Sequence, residues 1–121
     1  MQLPSPSLVV DRPALEHNIA AIGKTLAGPR LRPHVKAFKS TALARRLADA
    51  GHRTFTCATV REAEGMAAAD LGDDLLIANE IIDHDQLARA AAIEAGVTLA
   101  VDSDQTIDRA ASAGLRRVLI D

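Results

Sequence analysis

Apolar and polar positions follow one another along this chain in blocks. Short apolar runs, "LRPHVK", "TFTCAT", "LLIAN", "TLAVD" and "VLID", alternate with Ala-rich amphipathic stretches of 12 to 14 residues. The runs predict strands at 31–36, 54–59, 75–79, 98–102 and 118–121. The stretches "STALARRLADAG", "VREAEGMAAADLG", "DHDQLARAAAIEAG" and "SDQTIDRAASAG" predict the intervening helices. Each ends in glycine (Gly51, Gly72, Gly96 and Gly114), the residue expected just past a helix C-terminus. Ser40, Asp83 and Ser103 stand where N-caps belong. Ahead of the repeat, Leu15, Ile19, Ile22 and Leu26 fall on one face of a helix predicted over 13–26, capped by Asp11 with Pro13 in its first turn. A short extended piece is expected at 8–10.

Each predicted strand is mostly apolar and then finishes on a polar residue. Lys36, Thr59, Asn79, Asp102 and Asp121 stand 23, 20, 23 and 19 positions apart. In parallel α/β folds the C-terminal strand ends form the edge where ligands bind. Any one of these residues could be only a helix cap or turn former, whereas five in succession point to a shared cleft. Two α/β architectures fit the pattern. An open doubly wound sheet would be complete at 121 residues, whereas a (β/α) barrel typically needs about 250. The last strand has no helix after it in this sequence, so the expectation is a partial TIM-type barrel of about five parallel strands, its remaining half lying outside these residues.

Composition narrows the function classes. Phe38 and Phe55 are the only aromatic residues and the net charge is -2, which leaves neither stacking platforms nor a basic track for nucleic acid. No apolar run approaches the roughly 20 residues that span a bilayer. "MQLPSPSLVVD" has no secretory character. With Cys57 as the single cysteine, neither a disulfide nor a thiolate metal cage is expected, and a reducing cytoplasm is the expected compartment. His17, His34, His52 and His84 are scattered through the sequence. The "DHD" of residues 83–85 coincides with a helix start, where acidic residues favour the dipole. No metal set is expected within this chain.

The chemistry concentrates in "LRPHVKAFKS". A lysine buried at a strand end loses its charge readily and can then attack a carbonyl to form a Schiff base, the chemistry that pyridoxal phosphate enzymes use. Spacing alone leaves open that Lys36 extends into solvent past the strand. His34, two residues earlier, shares its strand face and reads either as a satisfied core residue or as a catalyst. Lys39 reads as a solvated residue or an anion contact.

"SLVVDRPALEHNI", "LRPHVKAFKSTALARR", "TFTCATVREAEGM" and "DLLIANEII" together resemble the N-terminal part of a family of fold-type-III pyridoxal phosphate enzymes. These are the D-threonine aldolases and D-serine dehydratases, related to the N-terminal barrel of alanine racemase. The resemblance runs over essentially the whole chain. It implies that Lys36 carries the cofactor as a Schiff base, that His34 lies beside it, and that Arg32 shapes the same strand. It places Thr59 and Asn79 at strand ends on the cofactor side. The family motif usually reads R-P-H-x-K-T-H-K, and Ala37 and Phe38 stand here in the T-H positions, removing a polar group.

Family members are about three times longer, with a full barrel and a β-rich C-terminal domain. That domain would supply a divalent metal (Mn²⁺, Mg²⁺ or Zn²⁺), and the rest of the protein most of the phosphate loops. The resemblance implies a lyase acting on a small D-amino acid. Cleavage of a 3-hydroxy-D-amino acid to glycine and an aldehyde is favoured over dehydration of D-serine, and a non-catalytic cofactor-binding module or an inactive fragment is the alternative. Neither a nucleic acid nor a membrane partner is expected, whereas a homodimer or self-association through exposed sheet edges is. The 121 residues alone are expected to turn over little substrate.

Overall fold

The computed structural model describes residues 4–121. Helix α1 (Arg12–Thr25) starts as the sequence predicts, with the Asp11 carboxylate accepting from the Ala14 amide at 2.7 Å and Pro13 in the first turn. Its apolar stripe is only half-buried, and Ile22 is 44 % exposed. Residues 8–10, expected to be extended, join no strand, and Leu8 is almost fully exposed.

The first strand of the sequence reading does not form. Residues 31–36 contribute a single parallel bridge, His34 opposite Thr56, made by the Thr56 amide donating to the Pro33 carbonyl at 2.8 Å. Pro33 has no amide to offer a ladder, and the chain then tightens into a 3₁₀ turn, Val35–Ala37. The sheet therefore has four strands rather than five.

After helix α2 (Thr41–Asp49), capped by Ser40, the chain runs β1 (Thr54–Cys57), α3 (Val60–Ala68), β2 (Asp74–Ile77), α4 (His84–Ala91), β3 (Val97–Val101), α5 (Asp104–Ser112) and β4 (Val118–Ile120). The strands lie in the order β1-β2-β3-β4, all parallel. Asp83 caps α4, and Ser103 with Thr106 forms a capping box on α5. A chain that steps one strand at a time in one direction, through right-handed crossovers, keeps every helix on one face of the sheet. A doubly wound sheet reverses direction and uses both faces. The observed order is that of a barrel segment, left open here.

Alternation along the strands divides the side chains between the two faces. Cys57, Ile77 and Leu99 form one row, in register with Val118, and Phe55, Leu75 and Val97 form the next. Both rows pack under the helices against Ala44, Ala48, Ala63, Ala90 and Ala110, all buried. Alanine at the contact points lets the helices approach the sheet closely. On the opposite face stand Thr56, Leu76 and Thr98. β4 remains uncovered along its length, with all three residues exposed and Ile120 at 76 %.

The four glycines divide into two kinds. Gly51 and Gly114 have φ of +97° and +91° and end α2 and α5 in the left-handed conformation. After α3 that conformation falls on Asp70, φ +56°. Gly72 and Gly96 are packing positions instead of helix stops. A Cβ on Gly96 would lie 2.8 Å from the Asp73 carbonyl oxygen, and one on Gly72 2.8 Å from the Ala95 Cβ.

At the N-terminal end of the sheet the Asp74 carboxylate accepts from both Arg32 and Arg117. Arg32 also donates to the Phe55 and Asp74 carbonyls, at 3.4 and 3.2 Å, and Arg117 to the Thr98 hydroxyl at 3.1 Å and the Gly96 carbonyl at 2.8 Å. Two guanidinium groups thus tie together the starts of the strands. Among the described residues no helix is long and apolar enough to cross a membrane.

The glycine geometry yields a paired expectation. Gly96→Ala forces a methyl group against backbone and should lower unfolding stability by about 1–3 kcal/mol in urea titrations. Gly65→Ala, inside α3 with nothing within 4 Å, should raise it by about 0.5–1 kcal/mol. Equal effects from the two would contradict the close approach at Gly96.

Candidate active site

The segment from Pro33 to Ser40 rests on the open edge of β1, and alternating burial decides which of its side chains face the core. Val35 is buried (3 % exposed) and Phe38 packs against the core cluster, whereas Lys36 and Ala37 face outward. Phe38, read from sequence as a lost polar group, is thus a half-buried apolar anchor. Three amides close the turn: Phe38 and Lys39 both donate to the Val35 carbonyl, at 3.2 and 2.7 Å, and Ala37 donates to the His34 carbonyl at 3.4 Å. Lys39 takes φ +45°, a left-handed backbone uncommon outside glycine.

Lys36 is therefore exposed, on a turn beside the strand ends rather than at the inner end of a strand. Among the described residues its ammonium has no hydrogen bond or ion pair. His34 lies next to it, half-buried, with its Nδ1 accepting from the Lys36 amide at 3.3 Å. An Nδ1 lone pair used in this way places the neutral ring's proton on Nε2. Desolvation first, and the Lys36 charge second, hold His34 below the ordinary imidazole value of 6.5. The Glu62 charge and a backbone hydrogen bond at Thr56 act in opposition.

The other predicted residues do not converge on one point. Thr59 lies beyond the end of β1 and caps α3, its hydroxyl accepting from the Glu62 amide at 3.2 Å. Asn79 is exposed, two residues past β2. Arg32 is committed to the N-terminal end of the sheet, through Asp74 and the Phe55 carbonyl. Asp102 accepts from the Ser103 and Thr106 hydroxyls, each at 3.1 Å, as part of the α5 cap. A cleft of about 410 Å³ opens beside the segment, lined by Val35, Lys39, Thr59, Arg61, Glu62 and Met66 among others, but not by Lys36.

Glu62 is the site residue that the sequence reading passed over. One of its carboxylate oxygens accepts from the Lys39 ammonium at 2.6 Å and the other from the Ala58 amide at 2.7 Å, with the side chain only 12 % exposed. The signal was present as Thr-x-x-Glu over residues 59–62, the pattern of a capping box. Here the glutamate reaches one residue further back, to Ala58 instead of the cap itself. Desolvation acts to raise the Glu62 carboxyl. It is outweighed by the Lys39 hydrogen bond, the Ala58 amide and the charges of Lys39 and His34, which leave the group below its ordinary range. Cys57, buried beneath, is pushed up to about 12 by burial and then by the Glu62 charge, so it is no nucleophile.

Among the described residues no three His, Cys, Asp or Glu side chains converge as a metal cage. Asp83 of "DHD" accepts from the Gln86 amide at 2.8 Å as a helix cap, and His84 and Asp85 are exposed. His52 is buried, with Nδ1 3.3 Å from the Gly28 carbonyl, and serves the packing beneath α1.

The charge of Lys36 on His34 is open to measurement. A depressed folded value means that folding favours the neutral ring. Its stabilisation is present above 6.5 and lost as pH falls through the folded value. Lys36→Ala should move the His34 titration upward, followed through its imidazole proton resonances. An unchanged or lower titration would put the ammonium out of range of the ring.

Residues 10–119 match the family model described as alanine racemase, N-terminal domain. The D-threo-3-hydroxyaspartate dehydratase of Delftia sp. (strain HT23) is 36 % identical over 86 residues, 69 % of this chain and 22 % of that protein. The 3-hydroxy-D-aspartate aldolase of Paracoccus denitrificans (strain Pd 1222) is 34 % identical over 112 residues, 88 % of this chain and 29 % of its own. Among solved structures, the D-threonine aldolase from Filomicrobium marinum superposes with a TM-score of 0.84 at 32 % identity, over 97 % of this chain and 34 % of that one. The arginine decarboxylase of Paramecium bursaria Chlorella virus, at 18 % identity and a TM-score of 0.71, shares the fold. The chain thus spans less than a third of its curated relatives. With nearly its whole length covered by one family model, it belongs to the alanine racemase N-terminal domain family.

Proposed function

We propose that these residues form the N-terminal part of a pyridoxal phosphate-binding barrel in a cytoplasmic lyase that cleaves 3-hydroxy-D-amino acids to glycine and an aldehyde. The observation that carries this reading is the placement of Lys36: a primary amine on the strand-end rim with no competing partner among the described residues, and an imidazole held beside it. That donor set fits the aldehyde end of pyridoxal phosphate, which needs one uncommitted amine. Donors for the phosphate and for the ring nitrogen are assigned to the barrel half and β-domain outside these residues. So is the divalent metal, and the protein is proposed to act as a homodimer.

Pyridoxal phosphate, when bound, stabilises negative charge at the amino acid's Cα. The tasks left to this chain are binding and proton handling. Lys36 Nζ would hold the cofactor at its aldehyde carbon and yield that position to the substrate's amino group. His34, neutral near pH 7 and carrying its proton on Nε2, would donate a hydrogen bond beside the reacting atoms without adding a charge. Thr59 and Asn79 stand on the same rim as further polar contacts, and Arg32 would support the segment from the opposite end of the sheet.

The aldolase reading is supported by relatives of that name matching 88 % and 97 % of the chain. The dehydratase relative, at 36 % identity over 69 % of the chain, favours the second reading, in which a 3-hydroxy-D-amino acid loses water to give an enamine, whose imine tautomer is then hydrolysed by water to an oxo acid and ammonia. The test is made on the whole protein, with Mn²⁺ and pyridoxal phosphate. A visible absorbance band that disappears in Lys36→Ala, and glycine with acetaldehyde from D-threonine in equal amounts, are the expected results. Oxo acid and ammonia in place of the aldehyde would select the dehydratase. A band that survives Lys36→Ala would overturn the assignment of the lysine.

A further inference from the structure

The Pro33–Ser40 segment has no strand ladder to hold it, yet it ends in a backbone conformation that L-residues adopt reluctantly. On one side it is fixed by the Thr56 amide on the Pro33 carbonyl, at 2.8 Å. On the other, Lys39 spans 23 residues of sequence to the Glu62 carboxylate, whose second oxygen holds the Ala58 amide just past β1. Lys36 lies between these two fastenings. Lys39 also donates its own amide to the Val35 carbonyl at 2.7 Å, so the residue that makes the ion pair is the one that closes the turn.

We propose that Glu62, acting through Lys39, is a positioning residue for Lys36: its carboxylate clamps the turn to the end of β1 and sets where the amine is presented. Most surface ion pairs contribute little. This one differs because the Glu62 side chain is largely withdrawn from water and satisfied twice, by an ammonium and by an amide. The left-handed backbone at Lys39 is unfavourable for an L-residue, and the clamp offsets that cost. Without the pair, Lys39 is free to relax to an ordinary φ, and the Phe38 and Lys39 hydrogen bonds to Val35 open with it. Lys39 would thus be neither a merely solvated residue nor an anion contact, and the cleft beside it would be lined by an already neutralised pair. This deepens the reading of Lys36 as the cofactor-bearing amine and rests on it for its chemical meaning.

The experiment uses the whole protein, with folding of each variant checked by far-ultraviolet circular dichroism. Amide hydrogen exchange at Phe38 and Lys39 reports the turn. Borohydride trapping of pyridoxal phosphate on Lys36, quantified by peptide mapping across pH, reports the amine. Glu62→Gln and Lys39→Met are expected to speed both exchanges about tenfold and to slow trapping several-fold, as for loss of a charge-assisted bond. Lys39→Arg, which keeps the pair, should stay within about twofold of the parent. Exchange that speeds up in the variants while the parent traps nothing at Lys36 supports the clamp and removes the cofactor reading. Unchanged exchange at Phe38 and Lys39 in both Glu62→Gln and Lys39→Met would overturn the proposal.

Discussion

The Lys36 segment meets the sheet at one bridge, where the Thr56 amide donates to the Pro33 carbonyl, and the turn that presents Lys36 starts from that attachment. Proline cannot donate to a ladder, and the 3₁₀ turn at Val35–Ala37 ends the extended run two residues later. The chain can therefore touch β1 once and must then turn. The turn buries Val35 and Phe38 and presents Lys36 between them. A longer strand would have carried Lys36 along the ladder and replaced the turn that exposes it.

The sheet supplies the other half of the geometry. Four parallel strands in sequential order place every crossover helix on one face and every strand end on one rim. That rim holds the Lys36 turn, the Thr59 cap and Asn79, whereas the opposite end is tied by Arg32, Asp74 and Arg117. Chemistry and reinforcement are thereby separated along the strand axis, as in (β/α) barrels generally.

Much of this was legible in the amino-acid pattern, and the misses share one physical cause. Asp11, Ser40, Asp83 and Ser103 cap helices as read, because a cap is a local device needing only its own next three residues. Gly51 and Gly114 stop helices as read, whereas Gly72 and Gly96 are set by neighbours distant in sequence, the Ala95 methyl and the Asp73 carbonyl. The 31–36 strand failed because its apolar residues say nothing about whether a partner ladder exists. Glu62 carried a local signal in Thr-x-x-Glu, but its hold on Lys39 lies 23 residues away and was not legible. The roles of Lys36, His34, Thr59 and Asn79 came from resemblance to a family. Their placement shows Lys36 and His34 side by side and the other two apart on the rim.

The chain contains three lysines, Lys24, Lys36 and Lys39, and this makes the central claim directly measurable. Lys39 is engaged by Glu62, and Lys24 lies in the last turn of α1, away from the rim. Limiting pyridoxal phosphate followed by borohydride, then mass-spectrometric mapping, counts the label at each position. Label concentrated on Lys36, with Lys24 and Lys39 at the level of a free surface amine, is the expected result. Label spread evenly over the three, or heaviest on Lys24, would contradict it.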